Sequence, residues 1–185
     1  MRTDPAYRKI TADEFLAMDF NTDRRFELHD GVIVMMAGGS EAHAWVQGNL
    51  HVALRIVLKG SGCRPYGPDM AVRTSTTDIR YPDLSIHCGP RPDNDEAITA
   101  LDAPVAIVEV LSPGTTTLDQ GTKLEEFKAL ASVQAVAFVD PVNELVRTVS
   151  RHAGGGWIDT MFAARDLDFP FLGVTIPHAE IFAAD

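Results

Sequence analysis

The chain has 185 residues, of which 45% are hydrophobic and 23% charged, an ordinary globular composition that excludes a disordered or fibrous chain. Its 16 basic and 26 acidic residues leave a net charge of −10, so any contact with a phosphate backbone must come from a local patch rather than from bulk charge. The apolar stretches are too short for a membrane span and Met1–Ile10 is polar rather than signal-like, so a cytoplasmic protein with no membrane partner is expected.

Thr11 followed by Glu14 forms a capping-box pattern and predicts a short helix through Met18. Arg25–Met36 alternates apolar and polar residues around Asp30-Gly31, the signature of a hairpin with a two-residue turn. Gly38-Gly39-Ser40 breaks the strand and offers an N-cap. From there to Lys59, Val46, Leu50, Val52, Ala53, Leu54, Ile56 and Val57 predict one long, mostly buried helix. The segment Gly60–Gly67 ends it.

Asp69–Thr74 and Tyr81–His87 read as a β pair, and Pro90–Asp102 as an acidic surface loop. Pro104–Leu111 is an almost unbroken β-branched run, which predicts a central strand covered on both faces. Asp119–Ala131 has helical spacing, with Leu124, Phe127 and Leu130 on one side. Ala135–Val139 is another buried strand. Leu145–Ser150 and Trp157–Phe162 flank Gly154-Gly155-Gly156 as a hairpin, and a short helix around Ala179–Phe182 closes the chain. The glycine run lacks the ending and the context of a phosphate-binding loop. The order predicts one α/β domain over 1–185, a mixed central sheet flanked by helices, with an added N-terminal hairpin and C-terminal antiparallel strands. Cys63 and Cys88 are too few for a disulfide framework or a cysteine-rich zinc site, and two reduced thiols are expected.

A lone carboxylate in a buried strand is expensive, and Glu109 interrupts Val105–Leu111 in this way. Taken singly, it reads equally well as a strand-end acid paired with an arginine. Asp83, after Tyr81-Pro82, reads singly as a turn or cap residue, and Lys123 as a solvated surface lysine. Read together they have a shared chemistry. Two acids on adjacent strands can hold one hard divalent cation, which lowers the pKa of its bound water, while a nearby lysine stabilises developing charge.

Several words of the sequence support that grouping. They are Arg25–Gly31, His43 after a glycine-serine break, Tyr81–Ser85, Glu109–Pro113 with Thr115, Asp119-x-x-x-Lys123, and Val139-Asp140-Pro141. In this order they resemble the Uma-type family of restriction-endonuclease-like PD-(D/E)XK proteins. The resemblance implies a restriction-endonuclease-like fold and a Mg²⁺-dependent endonuclease, with Mn²⁺ as an alternative ion. It implies Asp83 and Glu109 as metal ligands, the Val110 carbonyl as a third, and DNA as substrate. It also implies a homodimer, since two sites cut two strands. Leu111 stands where the superfamily lysine would be, and Lys123 fits the position to which that lysine migrates in this branch. Glu27 is implied as a further metal-side or supporting acid. His43 acts on water or substrate, or merely caps its helix. Arg24, Arg25, Arg73 and Arg80 lie in or beside these segments and are the candidate phosphate contacts. Two other readings remain open: a non-catalytic DNA-binding or assembly module, and a metal-dependent hydrolase or binder of a small phosphorylated molecule.

Overall fold

The structure, a computed structural model, describes residues 8–36, 38–90, 99–112 and 117–184, and within 117–119 the backbone alone. Pro113, Thr115, the Asp119 side chain and most of the acidic loop lie outside the described residues.

The capping box at Thr11 is made in full. Thr11 Oγ1 accepts the Glu14 amide at 3.2 Å and the Glu14 carboxylate accepts the Thr11 amide at 2.9 Å, opening α1 (Ala12–Leu16). Asp30 and Gly31 have φ of 48° and 76°, as a primed two-residue turn requires, and they join β1 (Phe26–His29) to β2 (Val32–Met35). Gly31 is held to glycine twice over, because a Cβ there would lie 2.4 Å from the Lys9 Cβ. Ser40 Oγ accepts the His43 amide at 3.2 Å and caps α2 (Glu41–Val57). Only an inner stripe of α2, Val46, Leu50, Ala53 and Leu54, is buried; Val52, Ile56 and Val57 face solvent. The mostly buried helix of the sequence reading is therefore an amphipathic surface helix, because only one side of it meets the sheet.

That sheet has six strands: β3 (Cys63–Tyr66), β6 (Leu84–Cys88), β8 (Ala106–Val110), β9 (Ala135–Asp140), β10 (Leu145–Arg151) and β11 (Trp157–Asp159). Their order is β11-β10-β9-β8-β6-β3, with β8 and β9 parallel and the other pairs antiparallel. The parallel pair needs a crossover, and α3 (Thr117–Ala129) supplies it. Successive side chains of β8 point to opposite faces of the sheet, and both faces are covered. Ala106, Val108 and Val110 pack towards α2, while Ile107 packs with Leu124 and Phe127 of α3. The central strand and the mixed sheet between helices match the expected α/β architecture.

A second sheet, in the order β2-β1-β5-β4-β7, adds β4 (Ala71–Arg73), β5 (Ile79–Arg80) and β7 (Ala100–Leu101) to the N-terminal hairpin. Leu28, Ala71 and Ile79 pack there against Ala12 and Phe15 of α1. The chain closes with β12 (Leu167–Phe169), β13 (Val174–Ile176) and α4 (His178–Ile181). Among the described residues no helix is long and apolar enough to cross a membrane.

Three expectations are corrected. The two strand segments read as a pair belong to different sheets: β4 pairs with β5 and β7, and β6 with β3 and β8. Leu84, Ser85, Ile86 and His87 are all buried, and both hydrogen-bonding edges of β6 are taken by β3 and β8, which leaves none for β4. The Gly60–Gly67 segment is not only a helix stop, since it contains β3. Finally, Cys63 and Cys88 are not two free thiols. The β3–β6 register sets them opposite each other, and they form a disulfide.

Candidate active site

The residues with chemistry gather where the two sheets meet, at the end of β8. Glu109 is the next-to-last residue of β8, and Asp83 directly precedes β6. Leu84 pairs with Val108, so the register carries Asp83 alongside Glu109. The two residues are also clamped through the backbone: Asp83 Oδ2 accepts the Val110 amide at 2.7 Å. Asp83 Oδ1 meets His43 Nε2 at 2.9 Å, and the Asp83 carbonyl accepts Gln47 Nε2 at 3.1 Å. The first turns of α2 thus hold Asp83 from the side opposite α3.

Glu27, in the middle of β1, is buried but fully engaged. Its Oε2 meets His29 Nε2 at 2.9 Å and lies 3.6 Å from Arg80 Nη1. Its Oε1 accepts the Tyr81 amide at 3.1 Å and Lys123 Nζ at 3.3 Å. Burial alone would raise its pKa, but the His29 hydrogen bond, Lys123, the Tyr81 amide and Arg80 together hold it down to about 2.

Glu109 is the opposite case. One oxygen, Oε1, is enclosed and has no hydrogen-bond partner. Burial pushes its pKa up to about 8; Lys123 opposes this, while the charges of Asp83 and Glu27 reinforce it. An orphaned buried carboxylate oxygen beside a second acid costs free energy unless a cation or a proton joins it. The His43 imidazole has its pKa raised, first by its hydrogen bond to Asp83, against burial, with the backbone of Val110 and Leu111 adding to the effect.

These side chains line one cleft of about 870 Å³. The β1–β2 hairpin forms one wall, with Arg24, Arg25, Val34, Met35 and Met36. The start of α2 forms another, with Gly39, His43 and Gln47, and α3 contributes Gln120 and Lys123. Asp83, Glu109, Lys123, Glu27 and His43 are all brought together here. The four candidate arginines are not. Arg24 and Arg25 line the cleft, but Arg73 is bound to Asp13 at 2.7 Å. Arg80 is buried, with bidentate bonds to Glu126, so its guanidinium is unavailable to a phosphate. A separate hollow of about 300 Å³ near Trp45 and Phe182 contains none of the site residues.

His29, Gln47, Tyr81 and the Arg80–Glu126 pair were missed in the sequence. Two carried a signal: His29 shares a strand face with Glu27, and Glu126 lies one helical turn beyond Lys123. Among the described residues no three His, Cys, Asp or Glu side chains are grouped to hold a metal ion. Two carboxylates still fit Mg²⁺, which takes oxygen ligands and retains several waters, and the orphaned Glu109 oxygen is where such an ion would be met.

Comparison with known proteins gives the family and the fold. A family model described as "Uma2: Putative restriction endonuclease" matches residues 12–176. An uncharacterized protein of Synechocystis sp. is 25% identical over 171 residues, covering 91% of this chain and 89% of its own length. A crystal structure from Anabaena variabilis, titled as "a putative nuclease belonging to DUF820", superposes with a TM-score of 0.72 at 21% identity. It covers 94% of this chain and 98% of that one, and at this identity it shows the fold.

Proposed function

The chain belongs to the Uma2 family of "putative restriction endonucleases", and from that premise we propose that it is a divalent-metal-dependent nuclease hydrolysing phosphodiester bonds in DNA. The enclosed, unpartnered Glu109 oxygen beside Asp83, with Lys123 in the same cleft, carries the reading. Asp83 and Glu109 would hold Mg²⁺ or Mn²⁺, with the Val110 carbonyl as a third oxygen. A cation so held supplies charge neutralisation at the scissile phosphate and a water of lowered pKa.

The chain's own groups do the rest. Lys123 Nζ, held 3.3 Å from Glu27 Oε1, is placed to offset negative charge on the phosphate as water adds to phosphorus and the leaving oxygen departs. Glu27, saturated by four partners, anchors that lysine rather than the cation. His43 holds the Asp83 carboxylate in place through Nε2. The net charge of −10 favours a second reading, a small phosphorylated molecule as substrate, because such a ligand meets only the local field of the cleft.

The experiment incubates the purified protein and its Asp83→Ala and Glu109→Ala variants with DNA and with small phosphodiesters across divalent metals. Metal-dependent DNA cleavage by the parent alone is expected. Equal cleavage by all three proteins would reveal a contaminant and end the proposal.

A further inference from the structure

We propose that DNA enters this cleft as a single strand, an unpaired end or a melted segment, rather than as an intact duplex. The inference rests on the nuclease reading and adds the form of the substrate.

The first support is depth. The Asp83 side chain is only 14% exposed and the Glu109 oxygen is enclosed. Both sit in a cleft of about 870 Å³, within the range of about 300–1,000 Å³ typical of small-ligand sites. A phosphate must descend between the β1–β2 hairpin and α2 to reach the acids. A single flexible strand can bend its phosphate down to them more readily than a stiff duplex can.

The second support is the chemistry of the hairpin wall. Val34, Met35 and Met36 line the cleft, and Val34 and Met35 are 39% and 51% exposed. A duplex hides its base faces and shows these side chains only sugar and charge, which gives them little to bury against. An unpaired base offers a flat apolar face, and methionine adapts readily to such surfaces.

The third support is where the cations lie. Arg24 and Arg25 stand on that same wall, Arg24 Nη1 donating to Met35 Sδ at 3.1 Å. Arg73 and Arg80 are committed to acids elsewhere, and Arg25 is paired with Asp69 at 2.6 Å, so Arg24 is the cation of this wall without an acid partner among the described residues. The positive charge can therefore follow one backbone, while a chain of net charge −10 repels a second.

The test uses the full chain and one fluorescent oligonucleotide of mixed sequence in three forms: single strand, blunt duplex, and duplex with a non-complementary frayed end. Binding is read by anisotropy in Ca²⁺, and cleavage on gels in Mg²⁺. The single strand and the frayed end should bind at least about ten-fold more tightly than the blunt duplex. Val34→Ser combined with Met35→Ser should remove about ten-fold of single-strand affinity, with Mg²⁺ binding by calorimetry and the thermal melt unchanged. Blunt duplex bound and cut as well as single strand overturns this inference and leaves the nuclease reading standing. Single-strand preference in binding without cleavage of any form supports it and overturns the nuclease reading. Undiminished single-strand affinity in the double variant, or no binding to any form, overturns it as well.

Discussion

Arg80 and Glu126 are joined by two bonds, Nε to Oε2 at 2.6 Å and Nη2 to Oε1 at 2.5 Å, linking β5 to the helix that carries Lys123. The guanidinium is buried, and its third nitrogen reaches the Leu28 carbonyl at 3.4 Å. Removing one member of a buried pair leaves the other charge uncompensated. Arg80→Met should therefore cost about 3–5 kcal/mol, read as a lower urea midpoint. Glu126→Gln, on the more exposed partner, should cost less. A midpoint unmoved by Arg80→Met would show that the pair does not hold α3 to the second sheet.

Glu109→Gln should act in two opposite directions. It removes a carboxyl that burial and the charges of Asp83 and Glu27 keep protonated at neutral pH in the fold but that ionises in the unfolded chain, so the metal-free protein should gain on the order of 1–2 kcal/mol. The same change removes a proposed ligand, so the stabilisation that Mg²⁺ gives the parent in a thermal melt should vanish. Unchanged Mg²⁺ stabilisation in the variant would remove Glu109 from the ligand set.

Lys123→Ala should lower turnover by roughly 10²–10³-fold, the scale seen when one charge-stabilising donor is deleted, while Mg²⁺ affinity changes little. A lysine that assists the transition state affects kcat and kcat/KM together. Loss of Mg²⁺ affinity with turnover preserved at saturating metal would instead make Lys123 a support of the acids alone.

Arg24→Ala should weaken DNA binding and lower the slope of log K against log salt by about 1, and Arg25→Ala should lower it by less, because its guanidinium is already paired with Asp69 at 2.6 Å. Arg73→Ala should leave the slope unchanged, because its guanidinium is committed to Asp13. The measurement is anisotropy across a salt series, and equal slopes for all three variants would remove the hairpin arginines from the phosphate path.

A pH effect should arise far from the cleft. Burial, with Arg64 nearby, lowers the His87 pKa from 6.5 to about 4. In that interval the unfolded chain binds a proton that the folded chain refuses, so stability is full above pH 6.5 and falls as pH drops towards 4. The loss should reach roughly 3 kcal/mol. His87→Phe, which keeps a ring against Tyr66, should flatten this part of the profile. An equally steep fall in the variant would assign the effect to other groups.

Some of this molecule was determined by local chemistry and was legible in the sequence. The Thr11–Glu14 capping box, the Asp30-Gly31 turn, the Ser40 cap and the β-branched run of β8 depend on residues only a few positions apart. Each forms where the residue pattern places it. The grouping of Asp83, Glu109 and Lys123 was also legible, although through the order of family words rather than through the residues one by one.

What only the tertiary structure decided is which segments meet. No local pattern tells β6 to pair with β3 and β8 rather than with β4, and that choice sets Cys63 opposite Cys88. Nor could composition distinguish the buried Glu27 from the half-buried Glu109. Glu27 is satisfied because β1 lies where Tyr81, Arg80 and Lys123 converge, whereas Glu109, one strand end away, has an oxygen left without a partner. The same packing turned Arg80 inward to Glu126 and left Arg24 and Arg25 at the cleft. Pairing partners and burial are long-range properties, set by which faces must be covered at once, and a residue's charge environment follows from them rather than from its neighbours in the chain.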